Sequence, residues 1–333
     1  MSGVREVQTL TVGGGEDGQR LDKWFKRRWP HLNHVMIQKL TRSGQIRVDG
    51  ARAKPDTRLA TGAQVRVPPL PDAGETAEQR EGLSDRDIAY AKSLVLYEDA
   101  EVLALNKPSG LAVQGGTKTT RHVDRLLSAW GEGVERPRLV HRLDRDTSGV
   151  LVLGKTPNAT ARLAGYFAGR QASKTYWAIV FGLPERASGT IDMALVKRGV
   201  GDREMVVPAG FREPGSEPAE TEYVRVAAAS DGSAAWMALS PHTGRTHQLR
   251  AHMKAVGHPI LGDPKYGDEA SGAFSHGLKL QLHARRLVLP RPSGAPLVLE
   301  APLSPQMQAG FARFGFDEQA APADPFEQGA RLR

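Results

Sequence analysis

The chain contains no cysteine. That removes disulfides, thiolate nucleophiles and cysteine-ligated zinc, and it suits a reducing cytoplasm, the location expected here. No apolar run comes near the roughly 20 residues a membrane helix requires. The first eight residues carry charges where a signal peptide has an apolar core, so export is not expected. A P-loop, a dinucleotide-binding glycine fingerprint and an HExxH motif are all missing. Gly13-Gly14-Gly15 precedes a basic segment rather than joining a strand to a helix, and reads as a flexible lead-in. His242, His247, His252 and His258 match no zinc spacing, so neither a metal nor another cofactor is expected.

What is present is a chain of 333 residues, enough for one large domain and a small one, with a net charge of +8. The charge is concentrated. Between Gln19 and Arg66 twelve Lys and Arg residues face three acids, a local net charge of +9 that leaves the remainder close to neutral. Phosphate binding depends on local charge density, so a basic module of this kind points to nucleic acid. Leu21, Trp24, Phe25 and Trp29 recur at helical spacing, and Pro30 ends that helix. The aromatics read as core rather than base-stacking platforms. A second helix is expected over 35–41, then a hairpin turning at Asp49-Gly50 and a last strand over 64–67. This arrangement brings Lys39, Arg42 and Arg47 near one another as candidate nucleic-acid-binding residues. The acidic, Pro- and Gly-rich stretch that follows reads as a linker.

From Ser93 onward, strand-like runs outnumber helices and do not alternate regularly with them. That pattern defines an α+β domain on a mixed, mainly antiparallel sheet. Within it stands His141-Arg142-Leu143-Asp144-Arg145-Asp146-Thr147-Ser148-Gly149, leading into the apolar run Val150–Leu153. A carboxylate among arginines stays ionised and can serve as nucleophile or base, or simply form a structural salt bridge with Arg142 or Arg145. Three further islands follow: Lys174-x-Tyr176, the glycine turn Thr243-Gly244-Arg245-Thr246-His247-Gln248-Leu249-Arg250, and the loop from Gly257 to Gly267.

Taken in order over about residues 94–302, these motifs resemble the RluA-type pseudouridine synthases. Arg20–Phe25 and Ile37–Gly50 resemble an S4 domain, a small RNA-binding module. Val113-Gln114-Gly115-Gly116 and Arg145-Asp146 bring the chain nearest to the RluC-like members, which modify large-subunit ribosomal RNA. The resemblance implies an S4 domain over 19–67 and a pseudouridine synthase catalytic domain over 93–312; by composition, 68–92 reads as the linker between them and 313–333 as a disordered tail. It implies that Asp144 attacks the target uridine at the ribose C1′ or at C6 of the base. Tyr176 would stack on the flipped uracil and help remove a proton, and Arg250 would pair with the aspartate. Arg142, with His141 and Arg245, would bind the substrate, Arg142 filling the gap left by the extruded base. The expected partner is ribosomal RNA and the expected state a monomer. The alternative is an RNA-binding ribosome-assembly factor whose catalysis is secondary, against which the complete Asp144–Tyr176–Arg250 set argues.

Overall fold

A computed structural model describes residue 4 and residues 6–32, 34–70, 82–115, 119, 121–200, 203–275 and 277–326. The chain divides into two compact units, Met1–Gly82 and Leu83–Arg333.

The N-terminal unit contains β1 (Gln8–Thr11), α1 (Leu21–Arg28), α2 (His34–Arg42), β2 (Arg47–Val48), β3 (Ala51–Arg52) and β4 (Gln64–Val67). Its four strands pair in the order β1-β4-β2-β3. Leu21, Trp24 and Phe25 fall on one helix face and are fully buried with Leu32, Ile37, Ile46 and Val65. The three aromatics pack on one another at centroid distances of 5.3–6.1 Å. The hairpin turns at Asp49 (φ 49°) and Gly50 (φ 77°), so both central residues are left-handed, as a two-residue turn matching strand twist demands.

The unit begins earlier than residue 19. β1 pairs with β4 along its length, and Val12 joins the core. The glycine run is not a loose lead-in either. Gly14–Glu16 is a turn of 3₁₀ helix whose Glu16 is buried beneath α1. Glu16 accepts from Trp24 Nε1 at 2.9 Å, from the Gly13 N–H at 3.1 Å, and from Arg27 and Arg28. Burial alone would raise its pKa, but these donors hold it at about 2. The folded value is depressed, so its stabilisation is complete above the usual carboxylate range and is lost as pH falls through about 2. Glu16→Gln should therefore lower the stability of this unit at pH 7 and flatten its acid unfolding profile, followed by tryptophan fluorescence. An unaltered acid transition would contradict this assignment.

The larger unit contains, in order, α3 (Asp85–Ser93), β5 (Val95–Glu98), β6 (Val102–Lys107), α4 (Val123–Leu126), β7 (Arg138–Leu139), β8 (Ser148–Gly154), α5 (Pro157–Ala168), β9 (Ser173–Phe181), β10 (Ser188–Asp192), β11 (Ala194–Val200) and β12 (Arg203–Ala209). Then follow β13 (Glu220–Ala228), β14 (Ala234–Pro241), α6 (Gln248–Ala255), α7 (Glu269–Ser275), β15 (Leu282–Leu289), β16 (Leu297–Glu300) and α8 (Pro305–Phe314). The main sheet runs β10-β13-β14-β9-β15-β8-β6-β5, with β16 added to β15 and β7 to β8. Every pairing is antiparallel except β15 with β8. It is the mixed, mainly antiparallel sheet the sequence predicts. β8 is buried on both faces, which explains its unbroken apolar run. Leu151 and Leu153 pack with Leu103, Leu105 and α4, while Val150 and Val152 pack with Leu163 of α5 and Leu299. The Thr156-Pro157 pair starts α5 as its spelling suggests, with Thr156 Oγ1 accepting from the Ala159 N–H at 3.1 Å.

Two stretches differ from the expectation. Part of the expected linker is α3, capped by Ser84 and burying Ala91, while 71–81 lie outside the described residues. The expected tail is ordered through Phe326. Phe314, Phe316 and Phe326 lie on the Trp177–Trp236–Phe311 cluster, and Asp324 pairs with Arg286 at 3.1 Å. Three spaced phenylalanines offer enough apolar area to offset the chain's ordering cost despite the polar composition around them. Residues 327–333 lie outside the described residues.

Candidate active site

The site lies where β8 and β15 run parallel in the middle of the sheet. Ala284 of β15 is paired with Gly149 on one side and Tyr176 of β9 on the other. At Gly149 (φ 110°) a Cβ would fall 2.2 Å from the Ala284 carbonyl oxygen, so only glycine allows this junction to close. Asp144 stands on the turn that feeds β8. The 107–110 segment clamps that turn: Lys107 Nζ and the Gly110 N–H donate to the Arg145 carbonyl at 2.9 and 3.0 Å, and Ser109 Oγ donates to the Asp146 carbonyl at 2.8 Å. Lys107 is fully buried, and its Nζ also donates to the Pro108 and Leu111 carbonyls. Burial pulls its pKa down to about 7, opposed by Asp146 and Asp144. Three carbonyl acceptors match the three donors of an ammonium, which favours the charged form beneath the turn.

The Asp144 side chain is one quarter exposed and opens into a cavity of about 510 Å³. Arg142, Asp144, Tyr176, Arg245 and Arg250 all line this cavity, as does His141. A second cavity of about 630 Å³ shares Arg142, Asp144, His247 and Arg250 with the first. Neither Arg142 nor Arg145 pairs with Asp144. Among the described residues the nitrogen groups facing it are the Arg250 guanidinium, with Nη1 3.5 Å from Oδ2, and the His247 imidazole, with Nε2 3.8 Å away. Arg250 is more tightly held by a residue for which the sequence offers no role. Its Nε and Nη2 each donate at 2.7 Å to Asp263, whose side chain is fully buried. Asp263 in turn accepts the N–H groups of Lys265 and Tyr266. The forked pair fixes the guanidinium plane so that Nη1 points at Asp144.

The remaining predicted residues divide. Tyr176 lies in the cavity, and burial, with Asp144 nearby, pushes its phenol pKa well above the usual value. It stays a neutral phenol, suited to stacking. His141 is turned to structure: its Nε2 accepts the Val152 N–H at 2.9 Å and its ring stacks on Phe167 at 4.2 Å. Burial, with Lys174 nearby, pulls its pKa to about 3, so it is uncharged. Arg245 pairs with Glu217 at 2.6 Å, and its N–H donates to Gln248 Oε1, which holds the Thr243–Arg245 turn to the start of α6. Arg142 is exposed and has no ion-pair partner among the described residues. In the N-terminal unit, Lys39 and Arg42 are exposed on the last turn of α2, whereas Arg47 donates to the Gly44 carbonyl in the turn after α2 and to the Gly50 carbonyl of its own hairpin.

Sequence reasoning overlooked Lys107, His247 and Asp263. Asp263 sits inside the quoted Gly257–Gly267 motif, and Lys107 is the one charge ending an apolar strand; both were visible signals without a partner.

Comparison with known proteins agrees with this geometry. Residues 101–255 match the family described as RNA pseudouridylate synthase. The ribosomal large subunit pseudouridine synthase C of Vibrio vulnificus is 33% identical over 307 residues, covering 91% of this chain and 95% of that protein. Its counterpart from Escherichia coli is 34% identical over 306 residues, covering 89% and 93%. The solved structure of human RNA pseudouridylate synthase domain containing 4 superposes with a TM-score of 0.58 at 29% identity, covering 71% of this chain and 99% of that one. The chain belongs to the RNA pseudouridylate synthase family, in its RluA-type branch. It is an RNA pseudouridine synthase, an isomerase.

Proposed function

We propose that the substrate is large-subunit (23S) ribosomal RNA, in which the enzyme converts particular uridines to pseudouridine with Asp144 as nucleophile. The observation that carries this reading is Asp144 opening into a cavity beside both Tyr176 and Arg250. The names of the curated relatives support the substrate. A uridine in structured RNA must first be extruded, at a cost of a few kcal/mol. Arg142, exposed and without an ion-pair partner among the described residues, lines the same cavity as Asp144 and suits the place the base vacates. Tyr176 offers a ring face worth about 1–3 kcal/mol of stacking that does not fix the in-plane orientation of the uracil. That freedom matters, because the glycosidic C–N bond breaks and the uracil must turn before C5 bonds to C1′ and its proton departs. Asp144, with Arg250 Nη1 3.5 Å from its Oδ2, attacks the ribose C1′ or C6 of the base. The same reading places the enzyme in the cytoplasm as a monomer.

Pseudouridine mapping of 23S RNA from a deletion strain tests this directly. At least one site is expected to be lost and to return on complementation. Full retention of every site, with a defect only in subunit assembly, would favour the assembly-factor reading.

The N-terminal unit fits the S4 role by its charge and by the exposed Lys39 and Arg42 on α2. Lys39→Ala with Arg42→Ala should weaken RNA binding several-fold and reduce the slope of log K against log salt by about 1–2, since each phosphate contact contributes about 0.7–0.9. The rate on saturating RNA should hardly change. An unaltered salt slope would remove these two residues from the interface.

A further inference from the structure

Arg250 spends two of its three nitrogens on Asp263 and leaves one for Asp144. The same Asp144 oxygen faces a second group, His247 Nε2 at 3.8 Å. His247 precedes the first residue of α6 with φ 53° and ψ 21°, a left-handed conformation that is uncommon for a residue with a side chain. Such a conformation persists where the surroundings over-determine it, and here they do. The ring stands edge-on to Tyr266 at 5.5 Å, and Nδ1 lies 3.0 Å from the Tyr266 hydroxyl.

The proton arrangement follows from the partners. The Tyr266 oxygen accepts the Val206 N–H of β12 at 3.1 Å, and among the described residues the acceptor within reach of its own proton is His247 Nδ1, 3.0 Å away. Tyr266 therefore donates to Nδ1, and the imidazole carries its proton on Nε2, the nitrogen that faces Asp144. Burial keeps the ring neutral; Arg250 and Lys265 act in the same sense, and Asp144 and Asp263 oppose them.

We propose that His247 is a positioning residue for Asp144: its Nε2–H aims the carboxylate at the uridine, and the Val206–Tyr266 relay sets the tautomer that makes it a donor. The inference rests on Asp144 being the nucleophile. A distance of 3.8 Å is longer than a formed hydrogen bond, and contacts of this kind tighten when substrate fills the site. Arg250 supplies charge; His247 supplies direction through an uncharged donor, which steers the carboxylate without a second full positive charge to weaken it as a nucleophile. The relay begins on a β11–β12 ribbon that is not hydrogen-bonded into the main sheet.

The test is single-turnover tritium release from an unmodified 23S RNA transcript labelled at uridine C5, with enzyme in excess and RNA affinity measured separately. Wild type and Asp144→Asn are run first: an active Asp144→Asn would overturn the nucleophile reading, independently of His247. His247→Met keeps the reach without the donor and should slow the step by about 10- to 100-fold with RNA affinity within about twofold, the range for losing a hydrogen bond to a charged group. His247→Gln, whose amide N–H replaces Nε2–H, should recover to within about threefold of wild type. Tyr266→Phe should fall between them, and His247→Met/Tyr266→Phe should be no slower than His247→Met alone. The proposal is overturned if His247→Met keeps the wild-type rate, if His247→Gln is as slow as His247→Met, or if affinity falls in step with rate. It also fails if the two losses multiply. Should His247→Met not fold, Tyr266→Phe decides the matter: a wild-type rate there refutes the relay, and a slow step with intact affinity sustains it.

Discussion

Asp144→Asn should slow pseudouridine formation by at least about 10⁴-fold while leaving RNA binding intact, because the amide keeps the shape of the carboxylate and loses its nucleophilicity. The stability change should be small. Asp144 is partly exposed, and its contact with Arg250 is 3.5 Å long, so the pair is worth no more than about 1 kcal/mol. The clamp on its turn runs through backbone carbonyls of Arg145 and Asp146, which the substitution does not touch. Single-turnover assay and thermal melting on one preparation distinguish a chemical defect from a structural one. A variant that keeps even a tenth of the wild-type rate would show that another group attacks the uridine.

Asp263→Ala should damage both stability and catalysis. The Arg250–Asp263 pair is buried and forked, with side-chain exposures of 5% and 0%. Removing one partner strands an uncompensated buried charge, a loss of about 3–5 kcal/mol. The Lys265 and Tyr266 N–H groups lose their acceptor as well. Chemical denaturation should show the loss of stability in the larger unit, and the rate should fall by about 100-fold as Arg250 leaves its aim on Asp144. The double change Arg250→Met with Asp263→Leu separates the two effects. Replacing a buried ion pair by apolar groups of similar volume restores much of the stability, while the activity should stay lost. If Asp263→Ala melted like wild type, the pair would not be what holds Arg250.

These two carboxylates also mark the limit of reading the chain alone. Asp144 stands out in the sequence, an acid between arginines ahead of an apolar strand, and Tyr176 and Arg250 lie in motifs that accompany it. Asp263 lies thirteen residues beyond Arg250, a separation at which no helical or strand period brings two side chains together. Only the turn after α6 and the loop at Ile260–Tyr266 bring them into contact. Local pattern was enough where one element buries one face. α1, α5, β8 and the Asp49-Gly50 hairpin all form where periodicity, capping and turn chemistry predict them. It was not enough for β11 and β12, a ribbon outside the main sheet, with Pro208 in one strand, that shows no clean alternation. Nor was it enough for α3, which buries little more than Ala91, or for the C-terminal phenylalanines, whose place is on a tryptophan cluster built from distant strands.

The sequence by itself determined the class of chemistry, the mainly antiparallel sheet and the basic N-terminal module, because composition, periodicity and motif order are properties of neighbours along the chain. Tertiary structure decided what Asp144 faces. Its sequence neighbour Arg145 pairs with Asp146, Arg142 makes no ion pair with it, and Arg250 and His247, more than a hundred residues later, stand beside it. The reason is physical: a charge inside a sheet junction answers to whatever the crossing strands and helix ends bring within a few ångströms, and that is fixed by packing rather than by order along the chain.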